Sequence, residues 1–265
     1  MHTTCSDGGF AVRDVVVQAK AAGLGIISIT DHDTVDAVPD AIAIAKELGM
    51  ECIPGIELTT RCGDVDMHML GYFFDHTSSR LRDYIDKVCL KRIERAERIV
   101  RKLNKIGITL TMSDVMHRAG GAAVGRPHIA GALLDRGFVP TYQKAFHMYL
   151  ADNGPAFEQI DVLSVKEGVE LLHSLGGLAV IAHPAILKDD AIKTAIDAGV
   201  DGIEVIHPSH IGGKVALYRG IATEYFLVQT GGSDFHGGAR NDNHNLGKHY
   251  VTEEYVTKMR AALRY

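Results

Sequence analysis

The chain has no tryptophan, seven prolines and four cysteines in 265 residues, and each scarcity excludes something. Cys5, Cys52, Cys62 and Cys89 form no CxxC pair and no framework spacing. That argues against a disulfide scaffold and an all-thiolate structural zinc site, and reads as reduced thiols. Prolines and glycines are scattered rather than massed in a linker, and the length suits one large α/β domain or a barrel carrying an inserted module. No apolar run approaches the roughly 18 residues of a membrane span, and no basic segment leads into an apolar stretch. No membrane association is expected, and a cytoplasmic location follows as the default. Positive charge is also short, with 28 Lys and Arg against 33 Asp and Glu. There is no broad basic face for duplex DNA, although a local phosphate site stays open.

Short apolar segments alternate with helical patterns, which predicts βα units and a mainly parallel sheet. The strand candidates are Gly25 to Thr30, Glu51 to Leu58, Met67 to Phe73, Leu178 to Ala182, Gly202 to Ile206 and Phe226 to Thr230. Helical stretches such as VVVQAKAAGLG, AIAIAKELGM, GVELLHSLGG and IKTAIDAGVDG precede them and stop at glycine, the residue that takes a left-handed C-cap. Residues 75–157 break the rhythm with a long helical pattern, then GRPHIAGALLDRGF and YQKAFHMYLADNG. They read as an all-helical insertion contributing to the substrate site, between barrel segments 1–74 and 158–265.

Histidine is what the chain has in quantity: fourteen residues. Their position gives them meaning. GIISIT runs into Asp31, His32 and Asp33; ECIPGIE ends in Glu57; LAVIA is followed by His183, GIEVI by His207, and FLVQT by GGSDFH with Asp234 and His236. In a parallel βα barrel those strand ends converge on one face, where active sites are built. His68 lies inside its strand and has to point into the barrel to join them. Imidazoles mixed with carboxylates and no thiolates suit Mn²⁺, Fe²⁺ or Zn²⁺. Too many ligands are present for one ion. A carboxylate such as Glu57 can bridge two metals, and metals about 3.5–4 Å apart can hold a hydroxide and clamp phosphoryl oxygens. The inventory points to a multinuclear hydrolase.

MHTTCSDG, TDHDT, GIE, MHMLGY, AHP and SDFH occur in that order over almost the whole chain. Together they resemble the PHP (polymerase and histidinol phosphatase) family, whose fold is a distorted (βα)7 barrel. GRPH, IHPSH and GGSDFHG look similar to the bacterial branch of 3′,5′-nucleoside bisphosphate phosphatases and 5′ to 3′ exoribonucleases. The resemblance implies up to three divalent ions per chain: the first on His2, Glu57 and Asp234, the second on Glu57, His68 and His183, the third on Asp7, His32 and His236. It also implies a metal-bound hydroxide as nucleophile, and a small phosphorylated substrate, a nucleoside bisphosphate or a short 5′-phosphorylated RNA. A histidinol-phosphatase-like monoesterase is the alternative. A non-catalytic metal and nucleotide binding module is another, because the first of the family's paired motif histidines has no counterpart before His2. The same gap predicts that the natural protein starts upstream with a first strand truncated here, and that the first metal site binds most weakly.

Pro127 after Arg126 reads as the first residue of a helix whose N–H groups attract anions, so Arg126 and His128 are candidate substrate contacts. His207 and His210 in VIHPSH are candidates for contacting substrate or protonating a leaving group. Asp31 and Asp33 read as acceptors that orient an imidazole N–H, or as a helix cap. Lys87, Lys91, Arg95, Arg98, Arg101 and Lys105 form a basic side on the insertion helix, where pairs such as Glu94 with Arg98 read as a solvated face.

Overall fold

The computed structural model describes residues 1–152 and 154–263. Among them, β1 (Ile26–Ile29), β2 (Glu51–Cys62), β3 (Val65–Tyr72), β4 (Leu178–Ile181), β5 (Gly202–Ile206) and β6 (Val228–Gly231) form one curled sheet in chain order. Each overlaps a strand candidate of the sequence, but β2 runs on to Cys62 through its hairpin with β3, so Glu57 lies within a strand and not at its end. The helices are α1 (Val12–Ala21), α2 (Val38–Glu47), α3 (Ser79–Lys105), α4 (Met112–Ala119), α5 (Arg126–Asp135), α6 (Tyr142–Ala145), α7 (Val165–Ser174), α8 (Asp189–Asp197), α9 (Lys214–Glu224) and α10 (Glu253–Ala261). No helix among the described residues is long and apolar enough to cross a membrane.

The sheet departs from a run of βα units at β3, which pairs antiparallel with both β2 and β4. Only Gly63 and Asp64 separate Cys62 from Val65, its register partner. Two residues close a hairpin but cannot carry the crossover a parallel strand needs, and Gly63 takes the positive φ, 59°, that such a turn demands. The reversal has a functional consequence. The first half of β3 lies beside the last half of β2, with His68 paired to Thr59. An interior strand residue is thereby brought to the rim where the other strands end.

At the opposite side of the sheet, Met1 and His2 stand between the ends of β1 and β6. The Thr30 N–H donates to the Met1 carbonyl at 2.9 Å, and the His2 N–H donates to the Phe235 carbonyl at 2.8 Å. A cavity of about 470 Å³ reaches inward from this side past Met1, Ile27 and Thr230.

Two large apolar clusters meet along α3. Leu81 and Ile85 belong to the cluster that also holds Ile56, Met69 and Ile181 of the sheet. Ala96, Ile99, Val100 and Leu103 belong to a second cluster, shared with Ile129, Leu133 and Leu150. At the changeover, in the same helical phase as the buried apolar residues, stand Arg92 and Arg95. Both line the cavity beside the candidate site, as Arg126 and Arg240 do.

Candidate metal centre

The N-terminal loop is fastened before it carries anything. Asp31 accepts from the Thr3 N–H at 2.7 Å and from the Thr3 and Ser6 hydroxyls at 2.6 and 2.5 Å. The loop turns so tightly that a Cβ on Gly8 would lie 2.5 Å from the His2 carbonyl oxygen. Asp31 therefore orients the loop bearing His2 and Asp7, not an imidazole. Asp33 accepts from the Thr59 N–H and hydroxyl, both at 2.7 Å, and from Arg92. It does not cap the following helix, whose N-cap is Ala37.

Glu57 is the hub. Its Oε1 lies 2.6 Å from His68 Nδ1 and 3.0 Å from His183 Nε2; its Oε2 lies 3.0 Å from His2 Nε2 and 3.8 Å from His32 Nδ1. Asp7 Oδ1 faces His236 Nε2 at 3.3 Å, His2 Nδ1 at 3.7 Å and His32 Nε2 at 3.9 Å. Asp234 Oδ1 is 3.1 Å from His2 Nε2. The rings of His2 and His236 stack with centroids 3.9 Å apart. Among the described residues, three groups have ligand atoms close enough to share an ion: His2, Glu57 and Asp234; His32, Glu57 and His68; and His2, Asp7, His32 and His236. The first is the set expected for the first metal. In the others His32 and His2 serve neighbouring groups, while His183 stays within reach of Glu57 and of His68 Nδ1, 3.3 Å away.

Electrostatics and hydrogen bonding both fit divalent cations. Burial disfavours charge on His2, but Asp234 and Glu57 outweigh it and push its pKa up to about 10. His183, opposed by burial and drawn by Glu57, rises to about 9. Despite burial, the surrounding imidazoles hold Asp7, Glu57 and Asp234 well below the usual carboxylate range, with Arg240 assisting at Asp7. The cluster is thus a sink for positive charge. His2 Nδ1, His32 Nδ1, His183 Nδ1, His207 Nε2 and His236 Nε2 are buried without a hydrogen-bond partner. Buried polar atoms without partners are costly unless a ligand completes them. His183 and Asp234 also take positive φ, 28° and 46°, the kind of backbone strain that clusters at functional sites.

A cavity of about 550 Å³ opens above this cluster, and Arg126, Tyr142 and Phe146 line its far side. Arg126 Nη1 donates to Asp152 at 2.7 Å and to the Leu150 carbonyl at 3.2 Å. His128 does not line this cavity. Its Nδ1 accepts from the Gly125 N–H and its Nε2 lies 3.0 Å from the Ser6 carbonyl, which joins α5 to the N-terminal loop. His207 lines the cavity with Nε2 3.6 Å from Asp234 Oδ2. His210 lies behind it, ring centroids 5.3 Å apart, with Nδ1 donating to the Val205 carbonyl. Burial pushes its pKa down to about 4.

Several residues here were not singled out by the sequence reading. Arg92 forks onto Asp33 and donates to Thr59 at 2.8 Å. Arg240 donates to Asp7 Oδ2, leaving Oδ1 toward the imidazoles. Asp242 accepts from the His236 and Gly237 N–H groups at 2.8 and 2.7 Å, and Glu204 from the His183 N–H at 2.8 Å. The signal for Arg92 was available: it falls in phase with Leu81, Ile85 and Val88 on the buried stripe of α3. Because Arg92 and Asp33 are both buried, Asp33→Ala strands a guanidinium in the interior. It is expected to lower unfolding free energy by about 3–5 kcal/mol in urea titration.

Imidazoles and carboxylates gathered on one rim of the sheet beneath an open cavity make a candidate metal centre. The chain belongs to the PHP domain family, whose pattern matches residues 1–153. It is 31% identical over 241 residues to a 5′-3′ exoribonuclease of Haemophilus influenzae, spanning 89% of this chain and 88% of that one. It is 28% identical over 255 residues to a 3′,5′-nucleoside bisphosphate phosphatase of Chromobacterium violaceum, spanning 92% and 89%. A solved structure from Bifidobacterium adolescentis, proposed to be a metal-dependent phosphoesterase, superposes with a TM-score of 0.90 at 28% identity, covering 100% of this chain and 95% of that one. All three names describe cleavage of phosphoester bonds, and at that level the chain is a metal-dependent phosphoesterase.

Proposed function

We propose that the chain hydrolyses a phosphate ester of a 3′,5′-nucleoside bisphosphate or of a short 5′-phosphorylated RNA. The observation that carries this reading is that two of the three ligand groups share Glu57, at the floor of a cavity whose lining also includes Arg126 at the start of α5. His2, Asp7, His32, Glu57, His68, His183, Asp234 and His236 would hold up to three divalent ions, with Mn²⁺, Fe²⁺ and Zn²⁺ all suited to this donor set. When bound, such ions offset phosphoryl charge and bring the pKa of water toward about 7.

The protein's own groups do the rest. Asp31 and Arg240 hold the loop and the carboxylate orientation that aim His2 and Asp7. Arg126 binds substrate anion, and the amide groups opening α5 add to its field. His207 turns an unpartnered Nε2 beside Asp234 on the cavity wall, and is placed to give a proton to the leaving oxygen. His210 supports the His207 ring from behind, and His128 clamps α5 to the metal-bearing loop.

Phosphate release by metal-loaded protein from adenosine 3′,5′-bisphosphate, a 5′-phosphorylated oligoribonucleotide and histidinol phosphate tests the reading. The first two are expected to be hydrolysed in preference to the third. Preference for histidinol phosphate would move the chain to the monoesterase alternative, and no turnover of any of them would leave a binding module. Arg126→Ala is expected to raise KM for the preferred substrate about tenfold or more, as loss of a charge-assisted contact does.

A further inference from the structure

The ligand cluster is bordered by two cavities. Glu57, His183 and Asp234 line both the 550 Å³ cavity above the ligand groups and the 470 Å³ cavity between β1 and β6. The second cavity runs inward from the protein surface, where Gly25 is exposed and Tyr250 is 55% exposed, to the side of the cluster turned away from the first. The cluster is a partition between them.

The two walls differ in charge. Arg92, Arg95, Arg126 and Arg240 line the first cavity, where they suit an anionic substrate. Among the described residues, no Lys or Arg side chain lines the second. Its carboxylates, beyond the shared Glu57 and Asp234, are Glu204 and Glu253. Its basic groups are His183, His249 and the Met1 amino group, which donates to Thr30 Oγ1 at 3.1 Å. Glu204 is 5% exposed, accepts from the His183 N–H at 2.8 Å and does not line the first cavity. Burial pushes its pKa up against the pull of His207 and His183, and a cation alongside favours the ionised form.

The second cavity also suits water. Thr230 is 3% exposed, and its Oγ1, like Ser28 Oγ, is buried without a hydrogen-bond partner. Both residues line this cavity, whose volume far exceeds the roughly 10–15 Å³ that one water needs. A hydrated passage lined by carboxylates within low-dielectric walls concentrates cations.

We propose that this rear passage is the route by which divalent cations enter and leave the ligand cluster, with Glu204 the carboxylate that receives them ahead of Glu57, His183 and Asp234. The inference rests on the metal-centre reading and holds for any phosphoester substrate. It separates two kinds of traffic: anionic substrate occupies the front, and ions exchange from behind.

The test follows Co²⁺ uptake by metal-free protein through its visible absorption, and Co²⁺ release from loaded protein to excess chelator. Wild type is compared with Glu204→Gln, Gly25→Trp and Gln143→Trp. A Cβ on Gly25 meets nothing within 4 Å, so a Trp there narrows the outer mouth without a clash at its base. Gln143, exposed on the wall of the first cavity, takes the matching obstruction at the front. Glu204→Gln, which keeps an acceptor for the His183 N–H, should slow uptake by about tenfold or more. Gly25→Trp should slow uptake and release alike, leave the number of ions bound at equilibrium unchanged, and decide the matter if the Gln variant does not fold. Gln143→Trp should change neither rate. Unchanged rates in Gly25→Trp, or rates slowed only by Gln143→Trp, would overturn the route and leave the metal centre in place. No Co²⁺ binding by wild type would overturn both.

Discussion

Replacing Glu57 by Gln is expected to lower kcat about a thousandfold or more, equivalent to about 4 kcal/mol of transition-state stabilisation. The two oxygens of Glu57 face four imidazoles, those of His2, His32, His68 and His183. The carboxylate also takes part in two of the three ligand groups. An amide of the same shape has one acceptor oxygen and no charge, so it cannot serve both sides. Metal content should fall by at least one ion per chain while the far-ultraviolet circular dichroism stays native. A variant that keeps its full metal content and activity would remove Glu57 from the centre of the account.

Stripping the metal ions is expected to lower the melting temperature by roughly 10 °C. Asp7 and Glu57 are almost wholly buried, and Asp234 joins them within the same knot of imidazoles. Ions that bind only the folded chain stabilise it by about 4 kcal/mol when present at a thousand times their dissociation constant. A protein of this size loses about 2–4 °C per kcal/mol. Calorimetric scans with and without chelator measure the difference, and readdition of Mn²⁺ or Zn²⁺ should restore the higher transition. Coincident scans would mean that the carboxylates balance their charge without cations.

Half of the candidate metal ligands could be read from the chain because they follow apolar strand segments closely: His32 after β1, His183 after β4, Asp234 and His236 after β6. A strand end is a local feature, and its convergence with others follows from sheet geometry. His68 needed the hairpin at Gly63 and Asp64, a turn signal two residues long that a search for βα units passes over. The supporting contacts were harder, because each joins distant parts of the chain. Arg92 reaches Asp33 across 59 residues, and Arg240 reaches Asp7 across 233. No spacing rule links such pairs. His128 shows the reverse case. Its place after Arg126 and Pro127 suggested a substrate contact, whereas the fold turns both ring nitrogens to backbone atoms. Arg95 reads as part of a solvated face because charge at i,i+4 spacing is the usual mark of one. Its coincidence with the buried stripe of α3 is the stronger signal.

In the proposed function Glu57 joins adjacent metal sites that carry out phosphoester hydrolysis. The most direct measurement is metal content per chain by plasma mass spectrometry, taken on the same samples as phosphate release from adenosine 3′,5′-bisphosphate during stepwise titration of metal-free protein. More than one ion and up to three per chain are expected, with activity absent before the first addition and rising only once more than one ion is bound. Full activity at one ion per chain, or activity that persists in metal-free protein, would contradict it.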